Sequence, residues 1–167
     1  MEFYKLMQKR IHENVIMPLL PKATEIWKVD APIFIKGVAA KPMKELVFLP
    51  LYMAHTYLVL DEVKMIWERY QSGGRYRPCA LGSVEQRRAE PYWFMMPRLV
   101  EALHESTEYH KNKEIKKFVL DAKCVGYHKV FGIKQLNKVH LFASEDIVEE
   151  MLQKNITEFS WESVDTK

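Results

Sequence analysis

The chain has 167 residues, of which 48% are hydrophobic and 28% charged, a composition typical of a globular protein with a real core. Its 25 basic and 22 acidic side chains give a formal net charge of +3, which offers no electrostatic argument for nucleic-acid binding. No apolar run approaches the roughly 20 residues that span a bilayer, and the N-terminus lacks the apolar stretch of a signal peptide. We therefore expect a cytoplasmic protein that binds neither nucleic acid nor membrane.

The N-terminal third has the least regular pattern of the chain. Alternating side chains predict a first strand within residues 1–10, although the same stretch is also compatible with the start of a helix. Short strands are predicted over Glu25–Val29 and Ile33–Ile35, followed by a loop from Gly37 to Pro42. Residues 1–45 are thus expected to form an irregular part of the domain.

The middle of the chain alternates strands with one amphipathic helix. Tyr57–Leu60 is a predicted strand, and a helix over 61–71 follows, with Asp61 as its N-cap. Arg75–Val84 and Tyr92–Met96 are predicted strands, the first at a sheet edge because it contains Pro78.

The C-terminal forty residues give the clearest local pattern. After a short helix over 99–103 and a strand within 115–120, two strands flank a turn at 136–138. Ser144 stands where the N-cap of a helix over 144–154 belongs, and Asn155 is suited to the left-handed position after it. A last strand is predicted to end near Val164.

These elements predict the fold class and the domain organisation. Consecutive strands with few helices favour an α+β fold: a largely antiparallel sheet of about seven strands with two main helices, at 61–71 and 144–154. No stretch rich in Pro, Gly or Ser interrupts the chain, so residues 1–167 are predicted to form a single domain.

Histidines and cysteines are the first candidates for chemistry. His104 and His110 are six residues apart, not the four that place two ligands on one helical face, and His128 and His140 are expected to be cross-strand neighbours. Neither pair has a third ligand at suitable spacing. Cys79 and Cys124 are too few for a four-cysteine zinc site, and neither has the local signature of a nucleophile. The sequence leaves open whether they form a disulfide. We predict no catalytic residue, no metal and no cofactor.

A series of short motifs across residues 46–164 resembles a known family. The motifs are Phe48-Leu-Pro50, Leu58-Val-Leu-Asp61-Glu62, Tyr92-Trp-Phe-Met-Met96, Ile115-Lys-Lys-Phe-Val-Leu-Asp121, Val130-Phe-Gly-Ile133, Val139-His-Leu-Phe-Ala-Ser-Glu145 and Asn155-Ile-Thr-Glu-Phe159. In this order they are similar to those of the immunity proteins of bacterial polymorphic toxin systems, in particular immunity protein 43 and its relatives. The sequence departs from the family pattern at the last motif, where Asn155 and Glu158 replace glycines.

The resemblance implies a non-catalytic protein that binds a cognate protein toxin and neutralises it. As its binding surface we predict the acidic face of the last helix, formed by Glu145, Asp146, Glu149 and Glu150, which would suit a basic active site in the toxin. Reversing the charge of Glu149 and Glu150 is predicted to weaken partner binding without loss of stability. The alternatives are a ligand-binding or regulatory module of the same fold and, third, an enzyme whose active-site residues are dispersed in sequence.

Overall fold

The computed structural model describes residues 1–10, 12–28, 32–41, 45–70 and 72–167. Across these residues the chain divides into two compact units, each built from segments that are discontinuous in sequence. Unit 1 comprises Met1–Met7, Ile66–Gly74 and Pro97–Lys167, and unit 2 comprises Gln8–Met65 and Arg75–Met96.

The described residues contain 13 strands and four helices. The strands are β1 (Phe3–Gln8), β2 (Met17–Pro18), β3 (Ile33–Val38), β4 (Leu51–Met53), β5 (Tyr57–Leu60), β6 (Arg75–Ser83), β7 (Arg88–Met96), β8 (Glu108–Tyr109), β9 (Ile115–Lys117), β10 (Val119–Leu120), β11 (Val130–Gln135), β12 (Lys138–Ser144) and β13 (Phe159–Thr166). The helices are α1 (Ala23–Ile26), α2 (Asp61–Arg69), α3 (Ala122–Val125) and α4 (Glu145–Gln153). None of these helices is both long and apolar enough to cross a membrane.

A five-stranded sheet in the order β10-β13-β1-β12-β11 organises unit 1. The β1–β12 and β11–β12 pairs are antiparallel, and β10 pairs with β13 in parallel. Phe142 stacks on Phe131, with 5.6 Å between ring centroids, and meets the edge of Phe118 at 5.3 Å. These rings lie in a core whose buried members are Phe3, Ala102, Leu120, Val125, Phe131, Ile133, Phe142 and Val164.

A six-stranded sheet in the order β2-β3-β6-β7-β5-β4 organises unit 2, and all its pairs are antiparallel except β3–β6. Two buried tyrosines form hydrogen bonds with backbone groups of the irregular segments beside its core. The Tyr52 hydroxyl donates to the Ile16 carbonyl at 2.7 Å and accepts the Leu49 amide at 3.1 Å, while the Tyr92 hydroxyl donates to the Leu49 carbonyl at 2.6 Å. Hydrogen bonding removes the cost of burying these hydroxyls, so aromatic side chains line this core without unsatisfied oxygens.

The two main predicted helices are present, at Asp61–Arg69 and Glu145–Gln153, nine residues each. Val63, Ile66 and Trp67 are buried on one face of α2, as the apolar spacing predicts. Ser144 occupies the N-cap of α4, but its hydroxyl donates to Asp146 instead of accepting a backbone amide. Asp61 is the first helical residue of α2, not the residue before it.

The number of sheets is the main correction to the predicted fold. The α+β class and the largely antiparallel pairing are confirmed, but the strands form two large sheets and the β8–β9 pair, not one sheet of about seven strands. The predicted single domain stays a prediction. In the predicted strand at 25–29, Glu25 and Ile26 belong to α1 and Trp27 and Lys28 form a turn, whereas Val29 lies outside the described residues. The predicted loop from Gly37 to Pro42 begins two residues late, at Ala39, because β3 continues to Val38, and Pro42 is not described.

Three further predictions are wrong because long-range pairing overrides local pattern. Pro78 lies in β6, which has β3 on one side and β7 on the other, so β6 is a central strand. The predicted helix at 99–103 is absent, since Leu99 instead makes an isolated bridge to Gly132. The cross-strand partner of His140 is Ile133, so His140 does not face His128.

Gly132 in β11 allows a second segment to approach this edge of the unit 1 sheet. A Cβ atom added there would lie 2.8 Å from Cγ1 of Val139, 2.9 Å from Cγ of Pro97 and 3.1 Å from Cδ2 of Leu99. Side chains essentially never approach so closely, so the segment that begins at Pro97 can lie against β11 only because residue 132 is glycine.

Candidate functional site

The N-terminal end of α4 holds two of the four predicted binding carboxylates. Asp146 accepts a hydrogen bond from Lys129 Nζ at 2.6 Å and another from the Ser144 hydroxyl, and its Oδ1 accepts the Ile147 amide. Burial on its own raises the pKa of the Asp146 carboxyl, but these hydrogen bonds and the Lys129 charge outweigh burial and hold the pKa below its ordinary value of 3.8. Asp146 is therefore part of a local network that stabilises the start of α4.

Glu150, one turn further along α4, is also engaged within unit 1. It forms an ion pair with Arg69 and accepts a hydrogen bond from the Tyr70 hydroxyl. That hydrogen bond, followed by burial, raises the pKa of Tyr70. Reversing the charge of Glu150 would break both contacts and is therefore expected to lower stability, so the absence of a stability cost stays a prediction for Glu149 alone.

Glu145 and Glu149 make no ion pair with any described residue. Their carboxylates lie near Tyr4 of β1, whose hydroxyl donates to Glu2 at 3.4 Å. Burial, followed by Glu145 and Glu2, raises the pKa of Tyr4. The acidic face stays a predicted partner-binding surface, but among the described residues only two of its four carboxylates lack an ion-pair partner.

The lowered pKa of Asp146 predicts how its contribution to stability depends on pH. A depressed folded pKa gives stabilisation that is complete above the unfolded pKa and is lost as pH falls through the folded pKa. We expect Asp146→Asn to be less stable than wild type at pH 7 and to lose less stability on acidification to below about pH 4. Urea unfolding at both pH values measures this, with Glu149→Gln as the control.

For Glu149→Gln we expect the wild-type acid dependence, because Glu149 is exposed and has no ion pair in the described chain. Equal acid sensitivity of Asp146→Asn and wild type would show that the Lys129–Asp146 network adds nothing to stability.

The candidate histidines and cysteines lie in separate environments. His104 Nδ1 is 2.8 Å from the Ser106 hydroxyl, and His140 packs edge-on against Phe118 at 4.9 Å. Burial, then Lys5 and Lys138, lowers the pKa of His140. Both cysteines are free, Cys79 buried with its pKa raised by burial to about 12 and Cys124 exposed. In the described ranges, no group of three or more His, Cys, Asp or Glu side chains is placed to hold a metal ion.

An exposed apolar surface, missed by sequence reasoning, lies on one side of the unit 2 sheet. The strand register puts Phe34, Ala80 and Pro91 in one row across β3, β6 and β7, and Lys36, Gly82 and Ala89 in the next. Val38 continues the same side of β3. We call this surface the apolar face and define it by Phe34, Lys36, Val38, Ala80, Ala89 and Pro91.

Exposure and flatness distinguish the apolar face from ordinary sheet surface. Phe34 is 53% exposed and Val38 45%, although both are large apolar side chains on a regular strand. Gly82 keeps the floor flat, since a Cβ there would lie 2.8 Å from Cβ of Ala89. Lys36 is the one charged side chain in these rows. A flat apolar patch with a single cation is a surface that another macromolecule can cover without desolvating many charges.

The opposite end of the same sheet side is already occupied. Trp93 donates its indole N–H to Asp61 at 2.6 Å, and Lys64 Nζ lies 4.1 Å from the centroid of its ring. The first turn of α2 therefore covers the Trp93 end, and the described residues leave the Phe34 end uncovered. The alternating small residues of β6 and β7 were the available signal, but they do not distinguish a covered face from an exposed one.

No protein-family model matches the sequence, and a search of curated proteins finds no significant match. The resemblance to immunity proteins stays a prediction drawn from the residues that carry it.

Proposed function

We propose that this chain is a non-catalytic immunity protein that binds a cognate bacterial protein toxin and neutralises it. The observation that supports binding to a protein is the apolar face, where Phe34 and Val38 are about half exposed on a flat floor of small residues. Contiguous exposed apolar surface costs solubility and is rare on monomers unless a partner covers it. The identification of that partner as a toxin rests on the sequence resemblance.

The chemistry of the apolar face defines what it can bind. Phe34 and Val38 supply apolar anchors at one border, and the floor of Ala80 and Ala89 lets a partner approach the sheet closely. Lys36 lies between the two anchors on β3 and favours a partner surface with an acidic group at that position. The partner surface that fits is therefore apolar and flat, with a carboxylate at the border that meets Lys36.

The acidic face of α4 is a second candidate surface for the same function. Glu145 and Glu149 retain unpaired charge within the described chain, which would steer a basic partner during encounter. Two carboxylates at a helix surface contribute little binding energy without apolar contacts beside them. The apolar face is thus the stronger candidate for affinity.

Co-expression with the gene directly upstream tests the proposed function. We expect the upstream product to stop growth of a naive host when induced alone, and to be harmless and to co-purify with this protein when both are expressed. The control is this chain carrying Ala80→Arg, which places a long cation in the apolar floor. A harmless upstream product, or one that kills whether or not this protein is present, would contradict the immunity function.

A further inference from the structure

The outer edge of β11 in unit 1 has backbone hydrogen bonds at Gly132 but, within the described residues, none at Lys134, the next residue whose backbone groups point the same way. The Gly132 amide donates to the Arg98 carbonyl at 2.8 Å, and the Gly132 carbonyl accepts the Val100 amide at 2.9 Å. Alternate residues of an antiparallel strand direct both backbone groups to the same side. The N–H and C=O of Lys134 therefore point outward as those of Gly132 do, and they meet no backbone partner in the described chain.

A groove lies beside this open position. After Val100 the neighbouring segment leaves the β11 edge, and Leu103 pairs with Leu120 of β10. The space left has a volume of about 720 Å³ and is lined by Leu99, Glu101, Leu103, Ile133, Lys134 and Leu136. Its lining is mainly aliphatic, with one acidic and one basic side chain.

Two leucines at the groove have exposed side chains, although both are large and apolar. Leu99 is 52% exposed and Leu136 is 53% exposed. Leu136 has a φ of 55°, a backbone conformation that is costly for a bulky side chain and is normally taken by glycine or asparagine in a two-residue hairpin turn. A leucine held in this position keeps an apolar side chain at the groove where a typical turn residue would leave it polar or empty.

We propose that the β11 edge binds an extended polypeptide segment of a partner protein by strand addition, with apolar side chains at alternate positions. The outward N–H and C=O of Lys134 would hydrogen-bond the backbone of the segment. Its side chains would alternate between the two sides of the added strand and contact Leu99, Leu103 and Leu136. The inference goes beyond the proposed function, because any partner protein with a suitable extended segment could add a strand here, whether or not it is a toxin.

Substituting Lys134 separates the backbone contribution from that of the side chain. Lys134→Pro removes the outward N–H and leaves the bonds between β11 and β12 intact, because those are made by Phe131, Ile133 and Gln135. Lys134→Ala keeps the N–H and removes the charged side chain. Leu99→Asp keeps the whole backbone edge and places a charge in the groove, so it tests the same site if Lys134→Pro fails to fold.

The probe is a displayed library of random linear peptides about ten residues long, the length of a long strand. We expect wild-type protein to select peptides with alternating apolar residues. Chemically synthesised copies should bind Lys134→Ala within about twofold of wild type, and Lys134→Pro and Leu99→Asp about tenfold more weakly or worse. Circular dichroism and thermal unfolding of each variant report whether the fold is retained.

Three results would overturn strand addition at this edge. The first is selection of no peptide above background, and the second is equal affinity of wild type, Lys134→Pro and Leu99→Asp for the selected peptides. The third is a wild-type dimer that becomes monomeric in Lys134→Pro, which would assign the edge to a second copy of this chain. None of these depends on the upstream gene product, so failure here is distinguishable from failure of the immunity function.

Discussion

Replacing Phe142 by alanine is expected to lower the free energy of unfolding by about 3–5 kcal/mol, the cost typical of a large aromatic side chain lost from a core. Phe142 is fully buried, stacks on Phe131 at 5.6 Å and meets the Phe118 edge at 5.3 Å. Alanine would leave a cavity between the Phe131 ring of β11 and the Phe118 ring, which lies just before β10. Because small domains have a net stability of only about 5–15 kcal/mol, such a loss threatens the folding of unit 1.

Chemical denaturation of the purified variant measures the loss. Tyr127→Ala is the matched control, since Tyr127 is 77% exposed and removal of its ring is expected to change stability by no more than about 0.5 kcal/mol. Phe142→Leu is expected to be intermediate, because it retains part of the volume. A loss of less than about 1 kcal/mol for Phe142→Ala would mean that the core collapses around the cavity and that the ring stacking contributes little.

Local elements of this fold follow from sequence pattern because their signals lie within a few residues. The run Tyr92–Met96 falls within β7, and the apolar spacing of Ile147, Val148 and Met151 predicts the buried face of α4. Asn155 has a φ of 59°, the left-handed position that a helix end favours. In each case short-range sterics or periodicity determines the outcome.

The arrangement of strands into sheets does not follow from sequence, because partners are distant in the chain. β1 pairs with β12, which aligns Phe3 with Ser144, and β3 pairs with β6, which aligns Phe34 with Ala80. A period of two shows which side chains share a face but not which strand lies beside it. The predicted single sheet was wrong for this reason.

The candidate surfaces were only partly predictable for the same physical reason. The carboxylates of α4 are evident in the sequence. Their ion-pair partners, Lys129 for Asp146 and Arg69 for Glu150, lie far from them in the chain and cannot be read from the local pattern. The apolar face was missed because small residues such as Ala80 fit a buried or an exposed row equally well. A sequence shows which side chains are charged, whereas the fold determines which charges are paired and which side chains are exposed.

Ala80→Arg is expected to weaken binding of the upstream gene product by about 100-fold or more, which corresponds to roughly 2.7 kcal/mol of binding free energy. Ala80 lies on β6 in the row between Phe34 and Pro91, at the centre of the apolar face. A long cation there would hold a partner away from the floor and would be buried without a counter-charge. Isothermal titration calorimetry of the purified pair measures the effect.

Two controls test whether the loss of binding reflects unfolding and whether it is specific to the apolar face. We expect Ala80→Arg to unfold near the wild-type temperature, since its side chain would extend from an uncovered side of the sheet. Glu25→Arg is expected to bind normally, because Glu25 is an exposed residue of α1, whose Ile26 packs in the core on the other side of the sheet. Glu149→Lys provides the comparison with the acidic face of α4. Normal binding by Ala80→Arg together with loss in Glu149→Lys would move the interface to α4, and it would leave the exposure of Phe34 without a role in binding this partner.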